Sequence, residues 1–180
     1  MTTPPLSAFA DIHTHGRSAP DAITSVEPHE PLSGNYGSAW YSVGIHPWST
    51  SAPVAEETWQ ILALKARDPR VVAIGEAGLD KRRGGSQTVQ EEVFRRQAAL
   101  AETVRKPLVI HCVGRYGRIM DLHRELAPTQ LWVIHGFSGS AELARQLVAE
   151  GFGISLGLRA KPGVAETIPP DRLFRETDEG

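Results

Sequence analysis

Five of the seven histidines in the chain, His13, His15, His46, His111 and His135, end a short apolar run or directly follow one, and so do Glu76 and Asp178. Imidazole and carboxylate groups without thiolate suit Zn²⁺, Mn²⁺ or, with more oxygen donors and water, Mg²⁺. A lone histidine at a strand end is ordinarily just hydrogen-bonded, but five at the same relative position mark one shared site. His13 and His15 are two residues apart, so on a strand their rings share a face and suit two ligands on one metal. Asp11 lies behind them on that face and reads as an acceptor orienting a histidine rather than as a ligand. Cys112 neighbours His111 but points to the other side of its strand, and reads as a small packing residue. His29 and His123 fall in a loop and a helix and carry no such signal.

The elements that must position these groups are short and rich in β-branched residues. Runs at 8–13, 41–46, 71–76, 108–111 and 131–135 have the composition of strands buried on both faces. Weaker runs at 22–26, 152–156 and 173–176 bring the expected number of strands to eight. Helical patterns over 54–67, 86–104, 116–126 and 140–150 lie between the later strands. Ser86 and Ser140 can cap two of them, Pro107 bars continuation of the second, and Gly151 closes the last. Strands alternating with helices imply parallel β-α units.

The early chain departs from this rhythm. Segments 16–21 and 27–40 are too short or too rich in Pro and Gly for covering helices, one turn of helix fits around 164–167, and residues 1–7 read as a tail. The expected fold is therefore α/β, a TIM-like (β/α)8 barrel over one domain, residues 1–180, trimmed so that several outer helices are missing or shortened. A full barrel takes about 250 residues, roughly 200 at the low end. An open doubly wound sheet is the second reading, but no glycine-rich phosphate turn follows the first strand. In a parallel barrel the site forms at the carboxyl ends of the strands, which is where the reactive residues stand.

The stretches Asp11-Ile12-His13-Thr14-His15, Val43-Gly44-Ile45-His46-Pro47, Ile74-Gly75-Glu76-Ala77-Gly78-Leu79-Asp80, Ile110-His111, Ile134-His135-Gly136-Phe137-Ser138-Gly139 and Glu176-Thr177-Asp178 occur in the order of the motifs of TatD-like deoxyribonucleases in the amidohydrolase superfamily. The chain resembles that family, and Gln90, Phe94 and Gln97 match the helix after its glutamate motif. The resemblance implies two divalent metal ions: one held by His13, His15 and Asp178, a second by His111 and His135, with Glu76 bridging them. It implies that His46 contacts substrate and that the reaction is hydrolysis of a phosphodiester, with DNA as partner. Metals that share a water lower its pKa; Glu76 and Asp178 are the expected catalytic carboxylates, with Asp178 orienting that water and accepting its proton.

The family's last motif usually continues into a proline and a closing helix, whereas Glu179 and Gly180 follow Asp178 here. A less rigid Asp178 is expected, together with bare barrel surface near strands one, two and eight that a homo-oligomer would cover. Arg17, Lys81, Arg82, Arg83, Arg115, Arg118, Arg159 and Lys161 fall in loops near the carboxyl ends. Few acids other than the expected ligands and Asp21 accompany them, so a local positive rim is expected, with Arg82 and Arg115 on phosphate. Trp40, Trp48 and Tyr116 near the same face offer stacking or packing. A small-molecule metallohydrolase acting on an ester, lactone or amide is the alternative function.

A net charge of −2 argues against a surface coated in basic charge for gripping nucleic acid along its length. Hydrophobic content of 41 % and charged content of 22 % suit a soluble globular protein. One cysteine excludes an internal disulfide, and no secretory signal pattern or long apolar span is present, so a cytoplasmic location away from the membrane is expected.

Overall fold

The computed structural model describes residues 3–16 and 19–178. Eight strands, β1 (Asp11–Thr14), β2 (Ala22–Val26), β3 (Trp40–Val43), β4 (Val71–Asp80), β5 (Leu108–Val113), β6 (Trp132–Ile134), β7 (Gly153–Leu156) and β8 (Leu173–Arg175), form one sheet in sequence order. Every neighbouring pair is parallel. The chain leaving β8 returns to β1: the Thr177 amide and hydroxyl donate to Asp11 at 3.2 and 2.6 Å, and the Asp178 amide donates to the His13 carbonyl at 3.1 Å. The sheet is thereby nearly closed into a TIM-like barrel rather than left open.

Four α-helices follow the middle strands: α1 (Glu56–Lys65), α2 (Gln87–Val104), α3 (Tyr116–Leu126) and α4 (Ala141–Ala149). The Ser86 and Ser140 hydroxyls accept from the Val89 and Leu143 amides at 3.4 and 3.2 Å, capping α2 and α4 as expected. Among the described residues no α-helix follows β1, β2 or β7, and only a 3-10 turn, Ala165–Thr167, lies between β7 and β8. The barrel is trimmed where Pro and Gly make it so. The bare surface expected at the first two strands is nevertheless absent, since all of β1 and all of β2 but Ser25 are buried. At the third of these strands, β8, Leu173 is half-buried and Arg175 exposed.

Two apolar layers support the sheet. Outward side chains such as Ile74, Leu108, Ile110, Trp132 and Ile134 pack with Leu62, Phe94, Ile119, Leu122 and Leu147 of the helices. Trp40, Val72, Val109, Val133 and Phe174 form the second cluster, joined by Leu6 and Phe9. Val109 and Val133 stand two residues before His111 and His135, so this cluster fills the barrel beneath the site. Leu6 belongs to a 3-10 turn, Leu6–Ala8, and is buried; part of the expected tail plugs the barrel instead. Trp40, expected near the active face, lies in this interior layer.

One irregularity decides where Glu76 points. Strict alternation would set Ile74 and Glu76 on one face, yet Ile74 joins the helix-side layer. The register of β4 on β5 runs from Ile74↔Leu108 to Ala77↔Ile110, three steps on one strand against two on the other. That is a bulge, a device that re-aims side chains beside active sites. Gly75 makes it possible: its φ is +143°, and a Cβ there would lie 2.4 Å from the Val109 carbonyl oxygen.

Gln97 of α2 fixes the loop after β3. Its buried amide accepts from the Ile45 backbone nitrogen at 2.7 Å and donates to the Ile45 carbonyl at 3.0 Å. Gln97→Leu strands both backbone groups without water, at a cost of about 2–4 kcal/mol. The melting temperature should fall by roughly 5–15 °C for a chain of this size, and an unchanged melt would mean that Ile45 finds other partners.

Candidate metal centre

The bulged strand brings Glu76 to the middle of a ring of histidines at the carboxyl end of the barrel. His13 lies within β1 and His111 within β5, while His15 and His135 stand just beyond β1 and β6. His46 no longer belongs to its strand: β3 ends at Val43, and His46 precedes a 3-10 turn, Pro47–Thr50, whose Trp48 amide donates to its ring Nδ1 at 3.1 Å. All five rings reach one carboxylate. Glu76 Oε2 lies 2.7 Å from His135 Nε2, 3.6 Å from His111 Nδ1 and 3.7 Å from His13 Nε2. Glu76 Oε1 lies 3.4 Å from His46 Nε2 and 4.0 Å from His15 Nε2.

Asp178 closes the ring from beyond β8. Its Oδ1 lies 3.6 Å from His13 Nε2 and 3.7 Å from His15 Nε2, and its Oδ2 accepts from Arg159 at 2.6 Å. Its amide donates to the His13 carbonyl as well. The Asp11 carboxylate ties the same ends together, accepting from the His13 amide at 3.1 Å and from the amide and hydroxyl of Thr177.

The electrostatics follow from burying Glu76, His13 and His135 together. Burial alone would raise the Glu76 pKa, but the His135, His111 and His46 rings hold it well below the usual carboxylate range. Burial pushes His13 well below its ordinary value, helped by His135. For His135 burial acts downward too, but Glu76 and Glu176 outweigh it and raise the ring well above its ordinary value. The shifts thus favour an ionised carboxylate at the centre and an uncharged imidazole at His13.

The donor set fits divalent metal. His13 Nε2 and His15 Nε2 face each other across 3.3 Å, with two carboxylates on their flanks. Among the described residues three groups bring one ligand atom per residue to within 4.8 Å of one another: His13, His15 and Asp178; His13, Glu76 and His135; and His46, Glu76 and His111. The set is nitrogen and oxygen alone, because Cys112 is packed in the helix-side layer and its burial pushes the thiol up to about 12. His29 instead bonds Thr58, and His123 packs between Trp132 and Phe152.

Two carboxylates at the site were not singled out as functional by sequence reasoning. Asp80, at the end of β4, shares one oxygen between Trp48 Nε1 at 2.7 Å and His111 Nε2 at 3.0 Å. Burial would raise its pKa, but the bonds from Trp48, the Arg82 amide and His111 pull it to about 2. Glu176 Oε1 accepts from the Gly136 amide at 2.6 Å and lies 3.5 Å from His135 Nδ1. Each is two or four residues from an expected site residue, and that even spacing was the available signal: Glu76, Gly78 and Asp80 alternate to one face, as Glu176 and Asp178 do.

The cleft above the ring encloses about 800 Å³. Of the expected basic rim, Arg82, Arg83 and Arg159 line it. Arg115 does not, although Gly114 and Tyr116 on either side of it do. Lys81 and Lys161 are likewise absent from the lining, and Arg17 lies outside the described residues. Arg118 is taken up by ion pairs with Glu91 and Glu125 at 2.8 and 2.6 Å. Acids are more numerous than expected, since Glu27, Glu30 and Asp80 also face the cleft, whereas Asp21 precedes β2 and belongs to the opposite end of the barrel. Among the described residues no helix is long and apolar enough to cross a membrane.

The sequence model of the family described as "TatD related DNase" matches residues 22–179. The chain is 34 % identical over 152 residues to the uncharacterized metal-dependent hydrolase YabD of Bacillus subtilis, covering 79 % of this chain and 59 % of that protein. It is 33 % identical to the 3'-5' ssDNA/RNA exonuclease TatD of Escherichia coli, over 83 % of this chain and 61 % of the relative. Among solved structures, the TatD homolog YjjV of Escherichia coli superposes with a TM-score of 0.69 at 26 % identity, covering 87 % of this chain and 66 % of that one. A TatD family hydrolase of Entamoeba histolytica shares the fold, with a TM-score of 0.67 at 24 % identity over 87 % of this chain and 60 % of that one. The chain spans about three fifths of the length of the curated relatives it matches.

Because Glu76 and His13 each belong to two of the three candidate ligand groups, the loss of either should empty the site most completely. Glu76→Gln and His13→Ala should bind less than half the metal of the wild type after dialysis, measured per chain by plasma mass spectrometry, while His46→Ala and the control His29→Ala keep most of it. Full occupancy in Glu76→Gln would remove Glu76 from the ligand set. A loss in His46→Ala equal to that in His13→Ala would make His46 a ligand.

Proposed function

The chain belongs to the TatD family of DNases, and from that premise we propose that it is a metal-dependent hydrolase cleaving phosphodiester bonds of DNA. The observation that carries the proposal is the single carboxylate, Glu76, within 4.0 Å of five imidazoles at the carboxyl end of the barrel. In this reading His13, His15 and Asp178 hold one divalent ion, His111 and His135 hold another, and Glu76 lies between the two. Zn²⁺, Mn²⁺ and Mg²⁺ all suit such donors. Ions bound there supply a water of lowered pKa and neutralise charge on the attacked phosphate.

The chain's own groups do the rest. Asp178, whose Oδ2 is held by Arg159 at 2.6 Å, orients the attacking water and accepts its proton. Asp80 and Glu176 set the His111 and His135 rings from behind, as carboxylates commonly do for ligating histidines. His46, held through its backbone amide by Glu27 at 3.3 Å, reaches toward substrate. Arg82 and Arg83 attract the phosphate chain into the cleft. The relatives named as 3'-5' ssDNA/RNA exonucleases support a single strand as the substrate.

Glu27 and Glu30 in the lining favour a second reading, a small neutral ester, lactone or amide as substrate, because they lower the positive potential of the cleft. A panel of single-stranded DNA, RNA and lactones, assayed with Mn²⁺, Mg²⁺ or Zn²⁺ and with chelator, separates the two. DNA should be cleaved only with metal, and Arg82→Ala/Arg83→Ala should lower its binding and flatten the salt dependence by roughly 0.7 in log–log slope for each phosphate no longer neutralised. Turnover of lactones alone, with an unchanged slope in the double variant, would put the second reading first.

A further inference from the structure

Trp48 lies at the cleft mouth, 45 % exposed, and the reaction proposed above gives it no role. It is nevertheless tied to the site. Its indole Nε1 donates to Asp80 Oδ2 at 2.7 Å, and that same oxygen lies 3.0 Å from His111 Nε2. The opposite ring nitrogen of His111, Nδ1, faces Glu76 at 3.6 Å. One carboxylate oxygen therefore joins a solvent-facing ring to a ring of the metal site. The Asp80 carboxylate can transmit position because the rest of it is fixed: Oδ1 accepts from the Arg82 amide at 2.7 Å, and Gln90 holds the backbone nitrogen and carbonyl at 2.7 and 3.0 Å.

The faces of the indole are also informative. The Arg83 guanidinium lies over it, 4.4 Å from the centroid. His46 and His111 meet it edge-on at 4.7 and 5.8 Å. A planar cation on an indole face occupies the place that a planar base would take, and a guanidinium plane is itself a stacking surface. A strand entering the cleft can stack a base on Trp48 in place of Arg83, or on the outer side of Arg83, in either case pressing on the ring that holds Asp80.

We propose that Trp48 is a positioning residue that couples a nucleobase stacked at the cleft mouth to the setting of His111 through the shared oxygen of Asp80. The proposal rests on the phosphodiester reading, since only a substrate with bases uses the stacking face. Trp48→Phe separates the two halves of the role, because it keeps an aromatic face and deletes the N–H donor; Trp48→Ala deletes both.

The test uses the full chain, with thermal melting to confirm folding of each variant. Mn²⁺ affinity is measured by calorimetry, and binding of a thymidine oligonucleotide and of an abasic strand to metal-free protein by fluorescence anisotropy. Turnover of the oligonucleotide gives kcat and KM. Trp48→Phe should lower kcat about tenfold, the scale of a hydrogen bond to a charged group, and weaken Mn²⁺ binding, with KM within about twofold of wild type. Trp48→Ala should in addition weaken thymidine binding about tenfold and leave abasic binding unchanged. In a cycle with Asp80→Asn, the Trp48→Phe loss should not add. Wild-type kcat and Mn²⁺ affinity in Trp48→Phe, or equal losses for thymidine and abasic strands in Trp48→Ala, would overturn the proposal. Inactivity of the wild type on DNA would instead remove the phosphodiester reading, while the Mn²⁺ affinity of Trp48→Phe still decides the link through Asp80.

Discussion

A carboxylate buried among imidazoles is the constraint around which this molecule is organised. An isolated anion taken out of water costs several kcal/mol even after relaxation, so Glu76 is tolerable only with positive or donating groups on every side. His135, His111 and His46 provide them, and His13 and His15 complete the ring, the five coming from four different strands or the loops that follow. Neither partner is stable alone in this position: the rings lack a reason to converge without the carboxylate, and His135 is raised well above its ordinary pKa by Glu76 and Glu176. A divalent ion placed among the same atoms replaces proton sharing with coordination, which is why the arrangement suits metal.

The barrel supplies what this cluster needs and little else. Helices cover the sheet beside β4, β5 and β6, the strands that carry Glu76, His111 and the chain leading to His135, and α2 also reaches over to clamp Ile45 through Gln97. Where helices are missing, β1 and β2 remain buried and the ends of β8 and β1 are stitched by Asp11, Thr177 and Asp178. The chain spends few residues on the side of the barrel whose site residues are held by backbone ties, and more on the side that carries the bulge.

Much of this was legible in the sequence because strand periodicity and strand ends are local signals. His13, His15, His111 and His135 were placed by them, and the α3 span of Tyr116–Leu126 follows from its apolar spacing. The bulge at Gly75 was not legible, because it depends on the backbone of β5 passing 2.4 Å from where a Cβ would stand. Asp80 was missed because β4 was expected to end at Glu76, four residues early. The basic rim was overcounted for a different reason: Arg118 finds Glu91 27 residues away, and pairings between helices leave no mark in local charge. Trp48 was placed near the active face, but its N–H bond to Asp80, 32 residues away, leaves no local mark.

The central claim is that Glu76 is shared between two metal ions, and diffraction from Mn²⁺-loaded crystals at the manganese absorption edge tests it most directly. Sharing requires two anomalous peaks roughly 3.5–4 Å apart, one against His13, His15 and Asp178 and the other against His111 and His135, each in contact with a different oxygen of Glu76. A single peak, or two peaks that leave Glu76 uncoordinated, would contradict it.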